Sequence, residues 1–323
     1  MLFFCSPFAR APLNMIRKIK IATRKSRLAL WQAHYVRDRL LEASPKTEVE
    51  ISGMTTEGDR DKNSPLSKIG GKGVFVKELE QALINGDADI AVHSMKDVPA
   101  ELPAGLSINA ICERADPRDA FVSVNYKCIE DIPDGGRIGS SSLRRRLQLK
   151  ARYPELDYLE LRGNVDTRLR KLDAGEFDGI ILAAAGLARL GLTDRISEYI
   201  PVESCIPSAG QGAVGVESVT GDSEINKLLQ AISHPMTELC VSCERLITQK
   251  LGATCNLPIA AFVQVREDEI HLRSFVSDID GEQVLKVSLS GPVAQGKQLA
   301  EKVAALLLEK GARNLISGIA PTG

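Results

Sequence analysis

The sequence predicts an α/β protein that has two lobes with mixed, mainly parallel sheets and a small C-terminal α+β domain. Strand-like and helix-like runs alternate through the first two thirds of the 323 residues, and the alternation starts afresh near residue 116. The tail instead has three strand-like runs joined by polar turns, which is typical of an antiparallel sheet. These patterns predict domain 1 over residues 18–112 and 213–232, domain 2 over 116–208 and domain 3 over 236–323.

Composition restricts the class of partner. The 41 Lys and Arg residues balance 42 Asp and Glu residues, and aromatic residues make up 4% of the chain. No overall basic excess exists to hold a nucleic-acid backbone, and few rings are present to stack on bases. We therefore expect a small anionic ligand bound by a local concentration of basic groups, with no nucleic-acid or membrane partner.

The seven cysteines are odd in number and have no framework spacing, which favours free thiols in a reducing compartment. The protein is expected to be cytoplasmic, because no apolar run approaches the ~20 residues that span a bilayer. Residues 1–17 are expected to be a disordered extension or to include an early, non-native start before Met15. A targeting signal would need a longer apolar part and a small-residue cleavage site.

The first series of elements ends on an unusual stretch. Its predicted elements are, in chain order, a strand (18–23), a helix (26–43), a strand (48–54), a helix (74–87) and a strand (88–93). The polar, glycine-rich residues 55–73 indicate a lid or a disordered loop. The last strand runs into "SMKDVP", so Ser94, Lys96 and Asp97 lie at a strand exit, where ligands bind in open α/β sheets. A Lys–Asp pair on a solvated turn is the alternative interpretation.

The second series carries a basic helix start, "GRIGSSSLRRRLQL" (136–149). The serines lie where an N-cap is expected, and the free N–H groups of a helix start favour anions. Arg144, Arg145 and Arg146 occupy the first turn, where cations oppose the helix dipole. A ligand that supplies negative charge would explain them, whereas a solvated basic face is the alternative. The series then predicts a strand (156–162), a helix (165–176) and a strand (179–186).

Further arginines lie at other element ends, namely Arg24, Arg162, Arg168 and Arg189. Guanidinium groups are suited to bidentate recognition of carboxylates. Each arginine alone is more typical of a surface, but together they line the place where an α/β cleft forms. The implied ligand carries several carboxylates or phosphates.

The tail predicts a helix (237–252), three strands (259–265, 269–278 and 283–291) and a closing helix (294–311). Cys255 lies on a loop between Gly252 and Pro258, so it is either an inert thiol or a nucleophile. The pair Cys240 and Cys243 within a helix is weak evidence for zinc or redox chemistry. "GQGAVG" (210–215) lacks the preceding strand of a dinucleotide site. The histidines have no metal-ligand spacing, so no metal is expected.

The assembled motifs resemble the porphobilinogen deaminase (hydroxymethylbilane synthase) family in order and spacing from about Ile19 to the C-terminus. They are "IATRKSRLALWQA", "GGKGVFVKELE", "AVHSMKDVP", "IGSSSLRRRLQL", "LRGNVDTRLRKLD", "AAAGLARLG", "PSAGQGAVGVE" and the Cys255 loop. The resemblance implies two lobes like those of periplasmic binding proteins, a third domain, and a monomer. It also implies a transferase that couples four porphobilinogen molecules head to tail into hydroxymethylbilane, releasing ammonia, in haem biosynthesis.

The resemblance implies a dipyrromethane cofactor held by a thioether to Cys255, with Asp97 as the catalytic carboxylate. Lys72 would belong to a lid. The other implied residues bind the acidic side arms of the two ligands. The cofactor would be held by Ser94, Lys96, Ser140, Ser142, Arg144 and Arg145. The substrate would be held by Arg24, Ser26, Arg162, Arg168 and Arg189. "GATCNLPIA" departs from the family, which often has a second glycine before the cysteine and Pro-Ile-Gly after it, so the loop shape could differ.

Two other functions fit parts of the pattern. A non-catalytic two-lobed binding protein for a small polycarboxylate would use the arginines but would leave Asp97 and Cys255 without a role. An RNA-binding protein could use the basic helix, although the balanced charge argues against it. Turnover of porphobilinogen would exclude the first, and failure to bind RNA would exclude the second.

Overall fold

The computed structural model describes residues 18–60, 73, 75–252 and 257–317. Within these ranges, thirteen strands form three sheets: β1 (Lys18–Arg24), β2 (Glu48–Met54), β3 (Ile90–Ser94), β4 (Leu106–Ile111), β5 (Asp119–Val122), β6 (Arg137–Gly139), β7 (Asp157–Leu159), β8 (Gly179–Ala183), β9 (Glu198–Ile200), β10 (Val214–Val219), β11 (Ile259–Arg266), β12 (Glu269–Ser277) and β13 (Val284–Pro292). The helices are α1 (Arg27–Ala43), α2 (Glu57–Arg60), α3 (Lys77–Ile84), α4 (Leu143–Lys150), α5 (Val165–Asp173), α6 (Ala184–Arg189), α7 (Ser223–Ile232), α8 (Pro235–Lys250), α9 (Gly296–Glu309) and α10 (Ala312–Ser317).

The first sheet has the strand order β2-β1-β3-β10-β4. Strands β1, β2 and β3 are parallel, and β10 is antiparallel to both of its neighbours, so four of the five strands share a direction. Helices α1 and α7 bury their apolar faces on one side of the sheet, and α3 packs on the other. Burial on both faces explains why β3 starts with the apolar run Ile90, Ala91 and Val92 before it reaches His93 and Ser94.

The second sheet repeats this plan with the order β7-β6-β8-β5-β9. Here β5 is the reversed strand, antiparallel to β8 and β9, while β6, β7 and β8 are parallel. The predicted mixed, mainly parallel lobes are therefore confirmed in strand direction. In both sheets a strand from a distant part of the sequence provides the antiparallel pairing.

The tail forms a three-stranded antiparallel sheet in the order β11-β12-β13. Helices α8 and α9 cover one face with a core that includes Cys240, Cys243 and Leu272. The opposite face contributes Phe262 and Phe275 to a cluster shared with α4 of the second lobe. This small α+β unit is thus packed against the second lobe through buried apolar surface.

Element ends differ from the predicted ones mainly where local turns intervene. The predicted helix over 74–87 begins at Lys77 and ends at Ile84, before Gly86, which has a left-handed φ of 76°. The predicted strand over 156–162 pairs only at Asp157–Leu159. The predicted strand over 179–186 ends at Ala183, where α6 begins. Helices α2, α6, α7 and α10 were not predicted. No helix in the part of the chain that the structure describes has the length and apolar character needed to span a membrane.

Candidate active site

The segment after β3 is fixed by contacts on several sides. Ser94 ends the strand, and Met95–Asp97 form a single 3₁₀ turn. The buried Met95 donates its backbone N–H to the carbonyl of Ala213 at 3.0 Å. Arg245 of α8 donates to the carbonyls of Val98 and Pro99, at 3.0 and 2.7 Å. These bonds hold the backbone of the turn, and Asp97 is left half-buried at its end.

A cavity of about 60 Å³ lies beside this turn. Four of the predicted site residues line it: Arg24, Ser26, Ser94 and Asp97. Ser26 is the N-cap of α1, and its hydroxyl accepts a 3.3 Å bond from the backbone N–H of Ala29. The Ser94 hydroxyl accepts from Gln32 at 2.8 Å. The structure therefore brings these four residues together, although both serine hydroxyls already have internal partners.

Arg24 is bound within the cavity wall by a carboxylate of the chain itself. Its guanidinium donates to both oxygens of Asp59, at 2.5 and 3.1 Å, and lies 4.2 Å from the centre of the Phe75 ring. Burial of Asp59 opposes its ionisation, but the hydrogen bonds from Arg24 and Thr56 prevail and lower the pKa of the Asp59 carboxyl.

Arg144 and Arg145 are buried in a fully enclosed ion-pair network with Asp119. Their guanidinium nitrogens lie 2.9 and 2.7 Å from the two oxygens of this carboxylate. Burial disfavours the Asp119 charge, but the two guanidiniums outweigh it and hold the pKa of the carboxyl well below its usual range. An internal carboxylate therefore supplies part of the negative charge at this helix start, and one carboxylate shared by two guanidiniums leaves a net positive charge there.

Lys96 and Asp97 of the first lobe lie within electrostatic range of a group of cations from the second lobe, which includes Arg145 and Arg168. Burial and the charge of Arg145 lower the pKa of Lys96 to about 8, although Asp97 raises it. Burial, Arg145 and the nearby Arg162 likewise lower the pKa of Arg168 to about 10. The Arg162 Nη1 atom is buried and makes no hydrogen bond to any of the residues that the structure describes. Cationic charge therefore exceeds carboxylate charge around Asp97, and one guanidinium nitrogen is left without an acceptor.

The start of α4 adjoins this group of cations. Ser140 is 1% exposed, and its hydroxyl accepts from the backbone N–H of Ser142 at 3.2 Å. Ser142 takes the N-cap position, but its side chain makes no capping bond. The Ser141 hydroxyl accepts from Arg168 at 3.1 Å. This helix start is thus positioned to present hydroxyls and cations to the same space.

Arg189 lies elsewhere, at the contact between α6 and α1. It donates to the Gly212 carbonyl at 2.7 Å and lies 5.5 Å from the centre of the Trp31 ring. Burial lowers the pKa of Arg189, against the effect of neighbouring Tyr35 and Cys112. Nothing links Arg189 to Asp97 among the described contacts. The predictions for Lys72 and Cys255 fall outside the described residues.

The C-x-x-C cysteines belong to the core of the C-terminal unit. Burial raises the pKa of Cys240 to about 12 and that of Cys243 to about 11, so both are held as thiols. Within the described ranges, 18–60, 73, 75–252 and 257–317, no group of His, Cys, Asp and Glu residues could hold a metal ion.

Sequence reasoning missed two residues that connect the parts of the site, Gln211 and Glu244. Gln211 donates to Asp119 at 2.8 Å and accepts from Arg145 at 3.3 Å. Glu244 of α8, fully buried, accepts from Arg114 at 2.6 Å, from Gly210 N–H at 2.7 Å and from Val263 N–H at 2.8 Å. The sequence offered one signal for Glu244: it lies on the apolar face of the helix predicted over 237–252. A buried charge at such a position needs hydrogen-bond or ion-pair partners.

Comparison with known proteins decides the family. The family model described as "Porphobilinogen deaminase, dipyromethane cofactor binding domain" matches residues 19–227, and "Porphobilinogen deaminase, C-terminal domain" matches residues 238–309. This chain belongs to the porphobilinogen deaminase family. A curated porphobilinogen deaminase from Chromobacterium violaceum is 50% identical over 302 residues, which cover 94% of this chain and 98% of the relative. The resemblance stated from the motifs is therefore confirmed, and so is the dipyrromethane-binding character of the family domain.

Solved structures outside the porphobilinogen deaminase family also share similarity with this chain. Immunogenic lipoprotein A from Vibrio vulnificus is 13% identical with a TM-score of 0.44, over 68% of this chain and 96% of that one. The periplasmic VFT2 domain of Bordetella pertussis BvgS is 17% identical with a TM-score of 0.40, over 70% and 93%.

Proposed function

We propose that this chain deaminates porphobilinogen and couples four molecules head to tail into hydroxymethylbilane, with release of ammonia. The observation that carries this proposal is the position of Asp97, which lines a cavity and lies among cationic side chains from both lobes. The cations suit the acetate and propionate arms of the substrate. The carboxylate suits the cation that forms when ammonia leaves.

Asp97 has an electrostatic role in each cycle. As the carbon–nitrogen bond of the aminomethyl group breaks, its electron pair leaves with ammonia and positive charge spreads over the pyrrole ring. A carboxylate fixed beside the ring N–H stabilises this charge without having to reorganise at the moment of reaction. The bonds that hold the Met95–Asp97 turn provide that fixed position. The same carboxylate can accept a proton during coupling.

The residues present fit a dipyrromethane, because the site contains more cations than carboxylates and an unpaired Arg162 Nη1. Lys96, Ser94, Ser140 and Ser142 would hold the cofactor, while Arg162, Arg168 and Arg24 would bind substrate carboxylates, with Ser26 beside them. When bound, the cofactor supplies a pyrrole carbon on which chain growth begins. Arg144 and Arg145 are paired with Asp119, so they would add positive potential to the site in addition to any direct bond. Arg189 would act on the growing chain and Lys72 from a lid.

The attachment through Cys255 is tested by the intact mass of the denatured protein. The wild type should carry the mass of an added dipyrrole, because a thioether survives denaturation. Cys255→Ser should lack that mass and should form no bilane. Cys128→Ser, a change at another free cysteine, should keep both the mass and the activity. An unmodified wild-type mass would contradict the attachment.

The proposal extends to organisation and location. The three sheets would correspond to domains at 18–112 with 213–232, 116–208, and 236–323. The chain would act as a monomer in the cytoplasm without nucleic acid. Support for a reducing compartment comes from the five described cysteines, which are all free thiols. The overall charge of −1 supports the expectation that the chain does not bind nucleic acid.

A further inference from the structure

The bond between Arg24 and Asp59 occupies the position that a substrate carboxylate would need. Arg24 lines the cavity beside Asp97. Both Asp59 oxygens bind its guanidinium, in the bidentate arrangement by which arginine recognises a ligand carboxylate. Both side chains are 24% exposed, so solvent and ligands can reach the pair. A carboxylate ligand can therefore bind Arg24 in this way only if Asp59 moves aside.

Asp59 has a second set of partners that would remain after such an exchange. The Thr56 hydroxyl donates to Asp59 Oδ2 at 2.8 Å, and the Thr56 backbone N–H donates to the same oxygen at 3.3 Å. A carboxylate displaced from Arg24 is thus not left without donors, which keeps the cost of displacement small. Asp59 lies on α2, a helix of only four residues, so a small movement of this turn suffices.

We propose that Asp59 competes with the substrate for Arg24 and so sets the affinity and selectivity of the site for a pyrrole that bears a carboxylate arm. This inference rests on the proposed function, because it takes porphobilinogen as the ligand. A molecule with a suitably placed carboxylate replaces both bonds of Asp59 to Arg24. A neutral pyrrole cannot replace either hydrogen bond between Asp59 and Arg24, so the Arg24–Asp59 ion pair stays closed and keeps the neutral pyrrole out of the site. Asp59 is therefore a specificity-determining residue rather than a catalytic one.

The sign of the change in KM separates competition from a structural role. In Asp59→Asn the competing charge is removed while the side-chain shape is kept, so KM for porphobilinogen should fall by about fivefold, as expected for a partly exposed ion pair. If Asp59 merely orients Arg24, KM should rise instead. Asp173→Asn is the matched control, since Asp173 forms a similar pair with Arg195, at 2.6 Å, outside the cavity. Its KM should equal that of the wild type.

Two further variants test the same competition and do not depend on the folding of Asp59→Asn. Asp59→Ala also removes the competing charge, so it should lower KM, whereas Asp59→Glu keeps that charge and should leave KM near the wild-type value. An active wild type with an unchanged or raised KM in Asp59→Asn overturns this inference alone. A wild type that consumes no porphobilinogen overturns the proposed function and this inference with it.

Discussion

Replacement of Asp97 by alanine should reduce the formation of hydroxymethylbilane by about a thousandfold or more, while the protein stays folded. The removed carboxylate would otherwise stabilise the ring cation, and the loss of such a group costs rates of this order. The fold should persist because the turn is held by backbone bonds of Met95, Val98 and Pro99 rather than by the Asp97 side chain. The measurement is the release of ammonia from porphobilinogen, together with the thermal unfolding midpoint.

Two companion variants make this result specific. Asp97→Asn keeps the shape and loses the charge, so it should be nearly as inactive as Asp97→Ala. Asp157→Asn changes an exposed carboxylate at the start of β7 and should retain activity. The intact mass of each variant reports whether the cofactor is still attached, which separates a defect in coupling from a defect in assembly. Normal turnover by Asp97→Ala would refute the role of this carboxylate.

Replacement of Asp119 by alanine should lower the free energy of unfolding by about 3–5 kcal/mol, the typical cost of leaving buried charges without their partner. Arg144 and Arg145 are 4% and 5% exposed, and their charges would remain in the interior. Chemical denaturation with urea measures the change. An alanine variant as stable as the wild type would show that the two guanidiniums find other acceptors.

The same carboxylate should make stability depend on acidity. The two arginines depress the pKa of Asp119 in the folded state, so its contribution is present above the unfolded value of about 4. That contribution is lost as the pH falls through the folded value. The difference in stability between the wild type and Asp119→Asn should therefore be largest near neutral pH and shrink below about pH 4. Asp134→Asn, at an exposed position, should show no such change.

Local patterns determined how much of the fold could be predicted. The apolar run of β3, its polar exit and Pro99 are adjacent in the sequence, so both the strand and the site at its end could be predicted. The short β7 was overestimated, because an apolar period does not report how many residues find a partner strand. The return of the chain to the first lobe could be predicted from the apolar run after Gly212, but the position of β10 between two strands could not.

The partners of the arginines could not be predicted, for a physical reason. Their locations at element ends follow from the sequence, whereas ion pairs form between side chains that only the tertiary fold brings together. Asp119 begins β5, and Arg145 lies on a helix that follows a different strand of the same sheet. Asp59 lies on a four-residue helix that no pattern predicted. The sequence was therefore enough to predict the arginines of the site, but not that Asp59 and Asp119 would pair with them.

Strand β10 fills the gap between β3 and β4, although the whole second sheet is encoded before it. During translation, β3 and β4 emerge from the ribosome long before β10, the strand that pairs with both. Until β10 is made, each has an edge whose backbone N–H and C=O groups are unpaired. An edge of this kind recruits other extended chains unless it is shielded. The nascent N-terminal lobe therefore cannot complete its sheet before the chain has been translated through Val219.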